Sequence, residues 1–443
     1  MLNLLKKINP VQALILSFAG IILVGTILLS IPISWEKEKY VSGIDALFTA
    51  TSAVCVTGLV AVDTPKTFST FGEVVTLLLI QLGGLGVVTF ATFFIMLMGQ
   101  EVGFFSKLIL KESFNVRGPG EAISLVWNVV KITAVFEGVG VLLLTAFWAG
   151  EHGVLHSLYL AVYHSVSAFC NAGFSLFSNN LESYMDNWWV NLTIMSLIIF
   201  GGLGFPVLVE LLLFRKKRQL SIRTKIVLWT TAFLIFGGAL LIHLFSLRLS
   251  ESEYMNLPSS QKLLVCLFQS VTARTAGFNT INLNVFPDSA LLVLMALMFI
   301  GGSPAGTAGG IKTTTFWVIL IGAWNYLRGE EVIRAWGREI SLTTFQRAVV
   351  LSMIAFMIVS ICVGIMSLSG GNRFIALAFE AVSAFGTVGL SLGITPELNS
   401  IQKLIIIALM FIGRVGPISF AYFFLMRRKK STISYPSIEI PIG

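Results

Sequence analysis

Four short stretches of this 443-residue chain run through small and hydroxyl-bearing residues into a glycine: SAVCVTGL (52–59), SAFCNAGF (167–174), TARTAGFN (272–279) and SAFGTVGL (383–390). Ahead of Gly58 lie Val56 and Thr57, ahead of Gly173 Asn171 and Ala172, ahead of Gly277 Thr275 and Ala276, and ahead of Gly389 Thr387 and Val388. These residues bring almost no side-chain charge; what they offer is backbone carbonyl oxygen. Several carbonyls together replace the hydration shell of a desolvated monovalent cation without trapping it. Glycine at each apex admits backbone angles that a Cβ forbids and lets four loops approach one another closely. A single copy would read as helix packing, because glycine is common at interfaces between membrane helices. Four copies, each in the same place between apolar runs, read as an ion filter.

Successive glycines are 115, 104 and 112 residues apart, which divides the chain into tandem units at 1–105, 106–220, 221–335 and 336–443. The elements that must position the loops lie in a membrane. Hydrophobic residues make up 56% of the chain and charged residues 12%, against roughly 25% charged in a soluble domain, and the mean hydropathy is +0.87. Runs long enough to cross a bilayer as helices, about 20 residues each, occur at 11–34, 74–100, 187–209, 226–247, 289–311 and 348–371. Two more, 132–150 and 404–426, contain one ionisable residue each, Glu137 and Arg414. That predicts eight spanning helices, two per unit, with the first retained because no small-x-small cleavage site follows it.

Orientation follows from Lys and Arg. Lys6 and Lys7, four within 107–131, six within 215–225, four within 328–347 and four at 427–430 account for 20 of the 30 basic residues, all on one side. The other side has 8, and Lys312 and Arg414 fall within spans. Cytoplasmic loops attract the excess, so both termini are placed in the cytoplasm of a multi-pass protein of the cell membrane. The net charge of +8 is a topology signal and not a nucleic-acid surface.

Between the two spans of each unit lies a stretch too short to cross, at 43–51, 154–166, 263–272 and 373–382, with apolar residues recurring every three or four positions. A half-helix leading into an extended loop is re-entrant, and non-helical backbone at that depth must be buried in protein or line a water-filled cavity. The negative ends of the four half-helices face the loops and favour cations. The predicted fold is an all-α polytopic membrane protein of four tandem helix/re-entrant pore loop/helix units around one central pore.

Each second span has its own signature: QLGGLG (81–86), FGGLGFP (200–206), FIGGSPAG (299–306) and FIGRVGP (411–417). The first glycine of each follows the filter glycine by 25, 28, 24 and 24 residues, so the repeat extends below the filter. No strand precedes GGLG, so it is not a dinucleotide fingerprint. The third copy is the exception. Gly301, Gly302, Ser303, Pro304, Ala305, Gly306, Thr307, Ala308, Gly309 and Gly310 cannot remain helical at about 1 kcal/mol per glycine and about 3 for proline. A broken helix under the filter is a candidate gate; the alternative is a packing kink. Arg414 replaces the second glycine of the fourth copy, and an intramembrane arginine is a functional-site hypothesis by default. Facing the cavity it would oppose cation flow and pin the loop through its carbonyls; the alternative is an ion pair with Glu137 or Glu210. Lys312 adds to the barrier. Glu137, Asp45, Glu380 and Arg274 are expected near the filter with partners that spacing does not reveal.

Cys55, Cys170, Cys266 and Cys362 show no CxxC spacing and read as small hydrophobes. No Walker A motif is present, so no cofactor is expected, K⁺ or Na⁺ is substrate, and gradients must supply the energy. A small-solute carrier built on inverted repeats fits less well, because all four units run in the same topology, and a membrane scaffold would need no filter.

The four loops, VTGL at 56–59, NAGFSL at 171–176, TARTAGFN at 272–279 and GTVGLSLGITPEL at 386–398, resemble those of the Trk/Ktr/HKT superfamily of potassium transporters over nearly the whole chain. Within it the chain is most similar to the Ktr branch, because there is no room ahead of residue 11 for two extra helices. The resemblance implies a homodimer, K⁺ uptake through the filter, an intramembrane gate loop, and control by a cytosolic ring of nucleotide-binding RCK subunits, for which the basic inner loops, RKKR at 215–218 included, are candidate docking surfaces. Glycine at all four positions implies K⁺ over Na⁺. A Na⁺-permeable or less selective cation transporter of the same superfamily remains the alternative, and Na⁺ coupling is left open. One departure is that Thr272 lies five residues before its glycine where the other units have serine at six.

Overall fold

A computed structural model of the chain describes residues 10–99, 101–103, 106–110, 118–214, 218–247, 253–330 and 332–416. Lys6, Lys7, Lys111, Arg117, residues 215–217 of the RKKR run, and the tail with its basic residues at 427–430 lie outside the described residues, as does the last span beyond Gly416.

Each unit has the order first span, half-helix, filter loop, second span. In the first unit these are α1 (Pro10–Ser30), α2 (Gly43–Cys55) and α3 (Thr70–Leu85) followed by α4 (Val87–Leu97). The second has α5 (Pro119–His152), α6 (Val154–Phe169), α7 (Trp188–Leu203) and α8 (Phe205–Leu212). The third has α9 (Ile222–Ser246), α10 (Ser259–Thr272), α11 (Asp288–Phe299) and α12 (Thr313–Leu327), and the fourth has α13 (Leu342–Leu368), α14 (Phe374–Gly386) and α15 (Ser400–Val415). A two-stranded hairpin, β1 (Arg334–Ala335) with β2 (Arg338–Glu339), links the third and fourth units.

The first spans α1, α5, α9 and α13 are long and apolar enough to cross a bilayer unbroken. Their outer faces stay apolar and exposed, as at Ile27 (66%), Phe233 (65%) and Phe356 (66%), which is the surface a helix presents to lipid. The second spans depart from expectation, because a break confined to the third unit is not what the fold contains. The α3–α4 and α7–α8 pairs bend by 94° and 103°, α15 ends at Gly416, and α11 and α12 are separated by residues 300–312. The hinges are Gly86 (φ 85°) and Gly204 (φ 89°), and Gly416 (φ 94°) caps α15, all with a left-handed backbone that a Cβ disfavours.

The units close into a ring. The second span of each leans on the half-helix of the next: α3 on α6, α7 on α10, α11 on α14, and finally α15 back on α2. Lys403 Nζ of α15 meets Asp45 Oδ1 of α2 at 2.7 Å, an ion pair joining the last unit to the first. The other carboxylates are held differently. Glu137 accepts from Gln81 Nε2 at 3.2 Å, and Glu210 accepts from the Ser221 and Thr224 hydroxyls.

Candidate functional site

The four filter loops meet at the centre of the ring. A Cβ added to Gly58, Gly173, Gly277 or Gly389 would lie 2.8–3.1 Å from the Cα of the next loop's glycine. It would also collide with a carbonyl of that loop: Ala172 O for Gly58, Ala276 O for Gly173, Val388 O for Gly277 and Thr57 O for Gly389. The contacts run in one direction and return to their start. All four glycines have positive φ, from 69° to 96°, so both the angle and the space exclude a side chain.

Two residues earlier the backbone is again left-handed, at Val56, Asn171, Thr275 and Thr387 (φ 50° to 76°). For β-branched residues this is a strained conformation, which persists only when the surroundings over-determine it. Here the surroundings do. The N–H after each strained residue returns to the half-helix: Thr57 to Ser52 O, Ala172 to Ser167 O, Val388 to Ser383 O and Ala276 to Thr272 O, at 2.7–2.9 Å. Hydroxyls at the same turn brace the apex. Ser52 and Ser383 accept from the N–H of Gly58 and Gly389 at 3.0 Å, while Ser167 and Thr272 donate to Phe174 O and Phe278 O at 2.8 and 2.6 Å. The third loop is one residue shorter, and Thr272 performs the same bracing from the closer position.

An outer cavity of about 380 Å³ is lined by all four glycines together with Ser175, Asn279, Ser391 and Thr395. The four glycines line this cavity, and the residues named before each of them lie in the same ring of loops.

Below the ring lie residues 300–312. The segment doubles back on itself, Ile300 pairing with Ile311, with Ala305 (φ 59°) and Gly310 (φ 65°) at its left-handed turns. It is sewn to its neighbours by backbone bonds: Ser303 N–H to Gly202 O (3.0 Å), Thr307 N–H to Gly201 O (3.4 Å), and Phe205 N–H to Ala305 O (3.0 Å). Ser303 and Thr313 pair through their hydroxyls at 3.0 Å, and Gly302 and Gly301 each leave no room for a Cβ against Ala308 and Gly309. A Cβ on Gly309 would collide with Thr387 Oγ1, so this loop touches the filter from beneath. Pro304 and Gly306 rest on the hinge Gly204.

Arg414 is not paired with Glu137 or Glu210. Its guanidinium donates to two carbonyls, Thr307 O of the loop and Gly83 O of α3, tying the third unit to the first. Lys312 Nζ donates to Ala308 O at 2.8 Å. A second cavity, of about 220 Å³, is lined by Gly84, Gly86, Ala305, Gly306, Ala308, Lys312 and Arg414. Two cations thus face the space under the filter, with backbone carbonyls as the partners these contacts give them. Arg274, 7% exposed, lies behind the third loop against Ile198, Gly202 and Ile235. Sequence reasoning missed the hinges Gly86 and Gly204, the Lys403–Asp45 closure and the buried His164; the aligned position three past the first glycine of each signature, Gly86, Gly204, Pro304 and Gly416, was the signal for the hinges.

A family model described as TrkH, cation transport protein, matches residues 9–433 of the chain. The Ktr system potassium uptake protein B of Bacillus subtilis (strain 168) is 38% identical over 438 residues, covering 99% of this chain and 97% of its own length. Its namesake from Vibrio alginolyticus is 35% identical over 434 residues, covering 98% and 94%. The potassium/sodium uptake protein NtpJ of Enterococcus hirae is 35% identical over 450 residues, covering 99% and 98%. A crystal structure of the potassium transporter TrkH from Vibrio parahaemolyticus superposes with a TM-score of 0.70 over 92% of this chain and 84% of that one, at 18% identity, and shares the fold.

Proposed function

This chain belongs to the TrkH family of cation transport proteins, and from that membership and its pore we propose that it conducts K⁺ inward as the translocating subunit of a Ktr-type uptake system. The observation that carries this reading is the ring in which each filter glycine sits against the next loop's carbonyl, on Thr57, Ala172, Ala276 and Val388 in turn. Such a ring presents uncharged oxygens at a fixed spacing, which suits a dehydrated monovalent cation. Its relatives are transporters, so the chain's work is transport and not catalysis.

Residues 300–312 serve as the gate. They lie between the filter, which Gly309 meets at Thr387, and the inner cavity, which Ala305, Gly306 and Ala308 line, and there Arg414 and Lys312 add positive charge against a passing cation. Inward K⁺ movement draws on the membrane potential, worth about 2.3 kcal/mol per charge per 100 mV. The termini are cytoplasmic, two copies form a homodimer in the plasma membrane, and a ring of RCK subunits on the cytosolic face controls the gate loop. Na⁺ participates as a second ion in one variant of this reading, favoured by the likeness to a relative named for potassium and sodium uptake.

Uptake of ⁸⁶Rb⁺ into proteoliposomes loaded with the purified chain tests the proposal, with external K⁺ and Na⁺ as competitors and the cytosolic partner present or absent. The expected result is uptake that K⁺ suppresses at far lower concentration than Na⁺. Equal competition by the two ions favours the less selective reading, and no flux with the partner present removes the pore.

A further inference from the structure

Two half-helices carry a fully buried imidazole or carboxylate that the ion pathway does not use. His164 lies nine residues before Gly173 and Glu380 nine before Gly389, and neither has any exposed surface. The same position holds Thr49 in the first loop and Phe268 in the third.

His164 Nδ1 is 2.8 Å from Leu160 O, and a carbonyl can only accept, so this nitrogen carries the proton. Nε2 then accepts from the Ser175 hydroxyl at 2.9 Å, and Ser175 Oγ in turn accepts from the Phe177 N–H at 2.9 Å. The fourth unit has a longer version of the same chain. The Thr395 hydroxyl donates to Glu380 Oε1 at 2.5 Å, Thr395 Oγ1 lies 3.0 Å from Ser391 Oγ, and Ser391 Oγ accepts from the Gly393 N–H at 3.0 Å. Both chains finish on a serine two residues past a filter glycine, and Ser175, Ser391 and Thr395 all line the outer cavity. Because the loops follow one another around the ring, the second and fourth face each other across the pore.

We propose that His164 and Glu380 are positioning residues for ion selectivity, locking the exit strands of two opposed filter loops so that the outer carbonyls keep a fixed separation. This rests on reading the loops as a filter. If Ser175 or Thr395 turned away, a buried imidazole or carboxylate oxygen would lose its partner, and an orphaned buried polar group costs more than an intact hydrogen bond contributes; Ser391 holds Thr395 in place. An apolar residue in the same place would fill the space without that directional hold. The other two loops are held otherwise. Asn279 of the third loop donates to Glu182 Oε1 at 2.8 Å from outside its own half-helix, and the first loop has Val60 at this position. Selectivity is thus set across one diameter of the ring by devices rooted in the half-helices themselves.

The test is ⁸⁶Rb⁺ uptake in proteoliposomes, reading the ratio of Na⁺ to K⁺ concentrations that half-suppress it. His164→Leu, Ser175→Ala and the double variant probe the second loop; Glu380→Ala, Glu380→Gln and Ser391→Ala probe the fourth. The serine variants change little volume and carry the test if the larger replacements do not fold. The ratio is expected to fall about fivefold in Ser175→Ala and in Ser391→Ala, the factor that one lost hydrogen bond is worth. His164→Leu should match Ser175→Ala and the double variant should add nothing further, since the two residues act as one unit. Glu380→Gln keeps the acceptor for Thr395 and should keep the ratio. Lower uptake with an unchanged ratio would reduce both residues to structural support and overturn the inference. A wild type without K⁺-competed flux would instead remove the filter reading on which it rests.

Discussion

The filter and residues 300–312 are both glycine-rich, non-helical backbone at membrane depth, yet they are held in opposite ways. Each filter glycine is braced by the following loop, and the last loop is braced against the first, so no member can move without its neighbours. The segment beneath occurs once and, besides its internal bonds, is tied to other units: to Gly201 and Gly202 of the second and Arg414 of the fourth. Where the units correspond, the divergence is visible atom by atom. The first signature glycine of the second span packs against a half-helix carbonyl in three units, Gly83 on Val54 O, Gly201 on Phe169 O and Gly413 on Phe385 O. In the third unit Gly301 packs instead on Gly309 O, within the loop itself. Repetition makes a closed ring, and the one unit that departs from it supplies the separate segment beneath.

If that contrast is right, the largest effect comes from the filter. Gly389→Ala places a methyl group against Thr57 O at a φ of 96°. The left-handed backbone alone costs an alanine roughly 1–2 kcal/mol, and the collision adds to it, so K⁺-competed ⁸⁶Rb⁺ uptake should fall by at least about tenfold. Gly371→Ala separates the two causes, because Gly371 has a φ of 98° with nothing within 4 Å of a new Cβ. It should lose some thermal stability and keep its uptake; equal loss in both variants would mean that strain, and not ring closure, is what the filter glycines relieve.

Next comes the segment beneath. Arg414→Ala removes the donor to Thr307 O and Gly83 O, and hydrogen bonds from charged groups are worth about 1.5–3 kcal/mol each. Uptake without the cytosolic partner should therefore rise several-fold. Arg414→Lys should fall between, since an ammonium lacks the planar fork that reaches two carbonyls at once. Uptake that falls in both would show Arg414 to be a structural strut.

The ring of four loops was legible because its signal is repeated and local: a glycine at a fixed distance from a half-helix needs no long-range information. The broken third span was legible from composition alone. The bends at Gly86 and Gly204 were not, because a GGLG run costs a helix only about 1 kcal/mol per glycine and nothing local says which glycine turns left-handed. Alignment of the signatures holds the clue, as the position three past the first glycine is Gly86, Gly204, Pro304 and Gly416, none of which a regular helix favours. Thr307 O is a loop carbonyl of the kind expected for Arg414, whereas its second partner and the partner of Asp45 were hidden for another reason. Gly83 O and Lys403 lie 331 and 358 residues away in sequence, and only ring closure brings them together.

The smallest effects should come from the seat of the loop. Gly204→Ala sets a Cβ 2.6 Å from Pro304 O at a φ of 89°, pushing on the loop from the second unit while leaving both cations in place. Basal uptake should rise, by less than in Arg414→Ala, because the bonds to Gly201 and Gly202 remain. Lys312→Met removes a single bond to Ala308 O within the loop's own fold, and one positive charge from the inner cavity. Both losses act in the same direction, so uptake should rise by about twofold or less, the scale of one partly solvated interaction. The order of the three rises, Arg414 then Gly204 then Lys312, is the informative result, since it ranks tethers between units above contacts within one. A Lys312→Met rise as large as that of Arg414→Ala would mean that the barrier is the charge in the cavity and that the position of the loop matters little.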